Sequence, residues 1–246
     1  PLVVVAGLHV RHGGRYWTEN ICSGFPLRMT NLADPMTVEK ISRTPQQGRS
    51  KASLERMMQA ARALIVERGD EDFTLIEVSK RGKVSIGSIY LRFESKDNLV
   101  RAVIAETMNE LAEAESAMLR RLTAQCPTLI DFIPAFVEGY AAVLTEFASV
   151  LSLAMLRAES DPQVAEPGKR AHLDAIARAT QAMLSYDSEL TGSDKAIRAN
   201  AAYHVIFATL ARQLSLGSIR EPATDIDWQQ LKDELGRMTL AYLKAG

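Results

Sequence analysis

Three helix starts crowd into 22 residues of this chain, and that spacing limits what it can fold into more than any other feature. Thr74, Ser85 and Ser95 each precede a stretch with apolar residues at helical spacing. A hydroxyl in that place accepts a hydrogen bond from a backbone N–H two or three residues on, satisfying a donor that the helix itself cannot. Glu77 follows Thr74 by three residues, which predicts a reciprocal capping box over a helix from Leu75 to about Arg81. Gly82-Lys83-Val84 then reads as a three-residue turn. Ser85 reads as the cap of a second short helix to about Phe93, and Ser95 as the cap of a third from Lys96 to about Leu122. Helices this short, joined by turns this tight, do not make a bundle with ordinary loops; they describe a helix-turn-helix.

The surroundings read as helical too. Ser53 is predicted to cap a helix from Leu54 to Arg68, in which Leu54, Met57, Met58, Ala61, Leu64 and Ile65 repeat with helical period, and Gly69 to end it. Before it, Arg43-Thr44-Pro45-Gln46-Gln47-Gly48-Arg49-Ser50-Lys51 reads as a basic arm, mobile in the free protein. Residues 1–35 are rich in Gly, Pro, Asn and Thr without sustained period. They read as an extension or an over-extended start, with Met36 opening a more conventional beginning. After Pro127 the predicted helices are 128–146, 148–160, 163–186, 194–217 and 227–244. Breaks are expected at Asp161-Pro162, Pro167-Gly168, Thr191-Gly192-Ser193 and the Pro222-containing stretch from Gly217 to Thr224. No alternating strand pattern, internal repeat or low-complexity tract is present.

Composition removes several classes. At 47% hydrophobic and 24% charged, the chain has the make-up of a folded domain with a substantial core. Its two cysteines, Cys22 and Cys126, lie far apart and form neither a disulfide framework nor a metal pattern, so a reducing cytoplasm is the expected setting. The uninterrupted apolar runs, Pro1–Leu8 among them, fall short of the roughly 20 residues of a membrane span. The N-terminus lacks the basic region that precedes the apolar run of a signal peptide. The net charge of −1 hides a division: residues 1–42 carry +1, 43–105 carry +4 and 106–246 carry −6. A basic front on an acidic back suits a module that meets a polyanion, joined to one that does not.

A short second helix enters a major groove only if a first helix braces it. Leu75, Val78, Val84 and Ile89 have the spacing to supply that brace. Gly87 and Ser88 are small where the backbone nears phosphates, and Ser85 and Ser88 place hydroxyls beside free N–H groups. Ile86, Ser88 and Leu91 are candidates to face bases; being apolar, Ile86 and Leu91 would read thymine methyls and DNA shape.

The run Val84-Ser85-Ile86-Gly87-Ser88-Ile89-Tyr90-Leu91-Arg92-Phe93-Glu94-Ser95-Lys96-Asp97-Asn98-Leu99 resembles the DNA-binding signature of TetR-family regulators, Val-Ser-x-Gly-x-x-Tyr-x-x-Phe-x-x-Lys-x-x-Leu, at every fixed position. The likeness is strong over about residues 43–105. It implies an all-α chain: an N-terminal three-helix DNA-binding domain (51–105) behind a flexible extension (1–50), joined to a C-terminal helical ligand-binding and dimerisation domain (106–246). It further implies that Tyr90, Lys96 and Thr74 contact phosphates, that Ser85, Ile86, Gly87, Ser88 and Leu91 lie at the groove, that Phe93 packs the reading head on the linking helix, and that Arg49 and Lys51 reach the DNA backbone or minor groove. One departure stands out: the family has Ala-Gly before Val-Ser, and this chain has Gly82-Lys83. A left-handed backbone at 83 would cost a lysine about 1 kcal/mol or more.

In the C-terminal part the resemblance implies a homodimer through helices 194–217 and 227–244, whose apolar faces include Ala201, Val205, Ile206, Ala208, Thr209, Leu231, Leu235, Met238 and Tyr242. It implies an unidentified small-molecule effector in a cavity between the middle helices. The lining candidates are Phe136, Tyr140, Phe147, Met155, Arg157, Met183 and Tyr203, residue types that equally serve as plain core. His172 and His204 lack a spaced carboxylate or cysteine partner, and no metal or cofactor is expected. No phosphate loop, nucleophile elbow or His-Glu-x-x-His pattern is present, which disfavours an enzyme. The acidic C-terminal part disfavours a non-specific architectural DNA-binding protein, which would be basic throughout. A repressor released from a palindromic operator is the expected function.

Overall fold

In the computed structural model, which describes residues 48–217 and 226–245, the regular elements are all helical. They are α1 (Gly48–Arg68), α2 (Leu75–Gly82), α3 (Ile86–Tyr90), α4 (Lys96–Gln125), α5 (Leu129–Ala158), α6 (Pro162–Leu184), α7 (Lys195–Gln213) and α8 (Trp228–Lys244), with a 3-10 turn at Asp187–Glu189. The sequence reading of residues 1–35 falls outside the described residues.

The caps form where the hydroxyls stand. Thr74 accepts from the Glu77 amide at 3.2 Å, and Glu77 Oε2 accepts from the Thr74 amide at 2.8 Å, closing the capping box. Ser85 and Ser95 accept from the Ser88 and Asn98 amides, at 3.1 and 3.2 Å. Gly69 ends α1 with φ +73°. The predicted brace also forms: Val78, Val84 and Ile89 are buried with Met57, Ala61, Ile65, Phe93 and Leu99 in one core, and Leu75, partly buried, packs against it.

Four sequence expectations need correction. Helix α1 begins at Gly48, ahead of the predicted cap at Ser53, so the backbone of Arg49 and Lys51 is helical and not a mobile arm. The tie is tertiary: the Arg92 guanidinium donates to the carbonyl and hydroxyl of Ser50. Helix α5 runs unbroken through residue 147, merging two predicted helices. Pro167-Gly168 does not interrupt α6, because Pro167 removes only a bond to the carbonyl of exposed Gln163, which water can satisfy. Helix α7 ends at Gln213, four residues early, where Ser215 takes a left-handed backbone with φ 53°.

Helix α5 is the axis of the C-terminal part, in contact with α1, α4, α6, α7 and α8. Surrounded on so many sides, it is apolar nearly throughout. It is the described helix long and apolar enough to cross a membrane, and Phe132, Phe136, Val137, Leu144 and Leu153 bury that apolar surface in the core. Helix α4 carries the connection, packing on α1 as well as on α5 and α6.

Candidate nucleic-acid interface

The turn between α2 and α3 sets the site. Lys83 takes the left-handed backbone, φ 49° and ψ 46°, while Gly82 does not. The Val84 amide donates to the Ser79 carbonyl at 3.1 Å and the Lys83 amide to the Lys80 carbonyl at 3.4 Å, the two bonds of a Schellman motif. Ser79 Oγ returns a bond to the Val84 carbonyl at 2.6 Å. Gly82 serves a different need: a Cβ there would stand 2.9 Å from the Arg56 carbonyl oxygen and 3.3 Å from Ala60 Cβ. So position 82 is glycine for close packing of α2 on α1, and position 83 bears the conformational strain.

From this base α3 presents one open face. Ile89 is fully buried, whereas Ile86, Tyr90 and Leu91 are 38%, 54% and 68% exposed, with Ser85 and Gly87 beside them. Large apolar side chains left in water on a five-residue helix, next to capped hydroxyls, form a surface shaped to be covered. Ser88 is half-buried, its hydroxyl 2.7 Å from that of Ser85. Lys51 is exposed on α1. Thr74 uses its amide and hydroxyl in the capping box with Glu77. The Arg68 guanidinium, hydrogen-bonded to Glu77, helps hold that carboxyl down at about 2.

Lys96 has another role than sequence alone suggests. Its Nζ donates to the carbonyls of Glu71 and Phe73, at 2.7 and 3.2 Å, and lies 5.1 Å from the Phe73 ring centre. It ties the start of α4 to the loop between α1 and α2. Arg157, expected among the effector residues, stands at the same junction. Its guanidinium pairs with Glu71 at 2.7 Å and Asp97 at 2.6 Å, and approaches Asp161 at 3.5 Å; Asp161 also accepts from Arg101 at 2.7 Å. The Arg157 bond holds the Asp97 carboxyl below its ordinary value. These side chains line a groove of about 460 Å³ where the reading head meets the helical body.

The other effector candidates also separate. Phe136, Tyr140 and Tyr203 come together in a run of rings with Phe132, Phe207 and His172; the Tyr140 and Tyr203 hydroxyls are 2.7 Å apart. Phe147 turns the other way, with the Arg62 guanidinium over its ring. Met183 is fully buried in α6, and Met155 sits near Gly217. Sequence reasoning missed the charged partner of the ring cluster: buried Glu115 on α4 accepts from Arg178 on α6 at 2.6 Å. Burial pushes the Glu115 carboxyl up against the pull of Arg178, and burial with His204 nearby lowers His172. No local signal marks Glu115, since one acid in a 30-residue helix resembles any solvated one.

A short capped helix set on a braced partner, with an open apolar and hydroxyl face, and attached to a helical body, defines a helix-turn-helix DNA-binding protein. Residues 57–103 match the family model of bacterial regulatory proteins, tetR family. The fold is shared with solved structures described as a TetR-family transcriptional regulator from Agrobacterium tumefaciens (20% identity, TM-score 0.56, covering 80% of this chain and 100% of that one), a transcriptional regulator from Cytophaga hutchinsonii (17%, 0.58, 79% and 100%) and a tetR-family transcriptional regulator from Streptomyces coelicolor (14%, 0.56, 78% and 80%). No curated protein matches the chain. The chain thus carries a tetR-family DNA-binding region at residues 57–103 within an all-helical fold shared with those structures.

Proposed function

We propose that this chain is a cytoplasmic, homodimeric repressor that binds a palindromic operator and is released by a small-molecule effector, acting by binding and not by catalysis. The observation that carries the reading is the open face of α3, where Tyr90 and Leu91 are more than half exposed over a fully buried Ile89. Tyr90 supplies a phosphate contact and Ser85, Ile86, Gly87, Ser88 and Leu91 the groove surface, with Lys51 and Arg49 on α1 beside them.

One five-residue helix reads few base pairs, so two copies are needed. Val205 on α7 and Met238 and Tyr242 on α8 are exposed, whereas Ala199, Ala202, Ile206 and Leu235 are buried within the chain. The exposed set supports a seam between α7, α8 and their mates. The effector site is assigned to the cluster of Phe136, Tyr140 and Tyr203, with Glu115 and Arg178 as its polar groups. An effector acts only through its affinity difference between two arrangements of the heads, and the Arg157 junction is the route by which α5 reaches them.

Selection of duplexes from a random library tests this reading, with the protein compared to a Tyr90→Ala, Leu91→Ala variant. A palindrome enriched by the parent and lost in the variant supports a dimeric operator-binding protein. Enrichment of no motif by the parent refutes it.

A further inference from the structure

Three carboxylates from three parts of the chain meet on one guanidinium. Arg157 stands in the last turn of α5, and its side chain is 13% exposed. Nε donates to Glu71, in the loop between α1 and α2, at 2.7 Å. Nη2 donates to Asp97, in the first turn of α4, at 2.6 Å. Nη1 lies 3.5 Å from Asp161, the cap of α6. Each nitrogen of the fork thus faces a different acid. Asp161 also accepts from Arg101 Nε at 2.7 Å, and Arg101 Nη1 donates to Asn98 at 3.0 Å, so the network closes on α4.

The partners divide by where they belong. Arg157 and Asp161 flank the break between α5 and α6, in the helical body. Glu71 leads into Thr74, the cap of α2, and its own carbonyl accepts from Lys96 Nζ at 2.7 Å. Stability does not account for the arrangement, because partly exposed ion pairs contribute little free energy. Orientation does. Head and body also meet where α1 packs on α5, with the Arg62 guanidinium over the Phe147 ring, but apolar burial is indifferent to direction. A guanidinium is a planar, rigid fork that bonds along fixed directions, so one that joins three acids fixes how the head is turned on the body. That angle matters when two heads read one duplex. A step of one base pair is about 3.4 Å along the axis. At about 10–10.5 base pairs per turn it is also about 35° of rotation. Heads free to move by that much would accept the neighbouring spacing as well as the right one.

We propose that the Arg157 network determines specificity for operator spacing: it sets the distance between half-sites that the dimer accepts, with Arg157 as the positioning residue. This rests on the dimeric operator-binding reading above. The network reads no base. Loosened, it leaves each head able to read its own half-site and lets the pair of heads fit several spacings.

The test is binding, by fluorescence anisotropy, of duplexes built from the selected operator. The half-sites are kept while the gap between them is lengthened or shortened by one or two base pairs, and a further duplex carries one half-site alone. Two variants of the full chain are compared with the parent. Arg157→Met removes the hub. Glu71→Gln with Asp97→Asn leaves Arg157 beside Asp161 and cuts both ties to the head. The readout is the ratio of affinities for the selected spacing and its neighbours, in which any uniform effect of altered charge cancels. That ratio is expected to fall about tenfold in both variants, in line with a few partly exposed pairs lost from each of two protomers. The half-site sequence, and the preference for a single half-site over random DNA, are expected to stay as in the parent. An unchanged ratio in either folded variant overturns the proposal and leaves the operator-binding reading intact, as does a parent that accepts several spacings equally. A fall matched by an equal loss of preference for the single half-site also overturns it, because the network then only keeps the head folded. A parent that selects no palindrome overturns the dimeric reading itself. If thermal melts show Arg157→Met unfolded, the Glu71→Gln, Asp97→Asn variant decides alone.

Discussion

Adding one methyl group at Gly82 tests how the reading head is held. In Gly82→Ala the new Cβ would stand 2.9 Å from the Arg56 carbonyl oxygen, a backbone atom that no rotamer change can move, and 3.3 Å from Ala60 Cβ. Helices α1 and α2 must separate by about half an ångström to restore ordinary contact. Overpacking of this kind costs about 1–3 kcal/mol. Alanine recovers at most about 1 kcal/mol in helix propensity. The net expectation is a loss of about 1–2 kcal/mol, large beside the 5–15 kcal/mol of a typical domain. Lys83→Gly is expected to act in the opposite direction. It removes about 1–2 kcal/mol of left-handed strain and adds about 0.5–1 kcal/mol of backbone entropy, for a net gain of about 0.5–1 kcal/mol. Urea unfolding with a constant m-value reads both changes. A Gly82→Ala protein as stable as the parent would show that α1 and α2 are not closely apposed. A destabilised Lys83→Gly protein would show that the lysine carries no strain.

Three further outcomes are expected. Arg157→Met removes the ties to Glu71 and Asp97, destabilises by about 1 kcal/mol, and speeds amide exchange over residues 69–74; unchanged exchange there refutes the junction. The Glu77 carboxyl is depressed from 4.5 to about 2 in the folded state, so its contribution is complete above pH 4.5 and is lost as pH falls towards 2. A melting curve against pH is therefore expected to flatten over that window in Glu77→Gln, and an identical slope in both proteins would count against the capping box with Arg68. Val205→Glu places a charge on an exposed residue of α7 and is expected to yield a folded monomer by sedimentation, with a melting temperature that no longer depends on protein concentration. A Val205→Glu dimer would move the seam elsewhere.

What the sequence determined by itself was local. Thr74, Ser85 and Ser95 bond to amides three residues away, Glu77 reaches back over the same span, and Gly69 ends a helix by its own backbone freedom. Such signals depend on near neighbours, so three helix starts in 22 residues announced the helix-turn-helix, and the period of Leu54 to Ile65 announced the helix that braces it. The fate of each charge was different. Lys96 bonds to a carbonyl 25 residues away, Arg92 to a serine 42 away, and Arg157 to an acid 86 away. A cation on a helix looks the same in sequence whether it faces phosphate, brackets a loop or bridges two parts of a chain. Phe147 likewise matched Phe136 and Tyr140 in type and helix, yet turned towards α1. Tertiary packing alone decided these cases. It sets which face of a helix loses water, and a charge taken out of water must bond to whatever polar group the fold brings within reach.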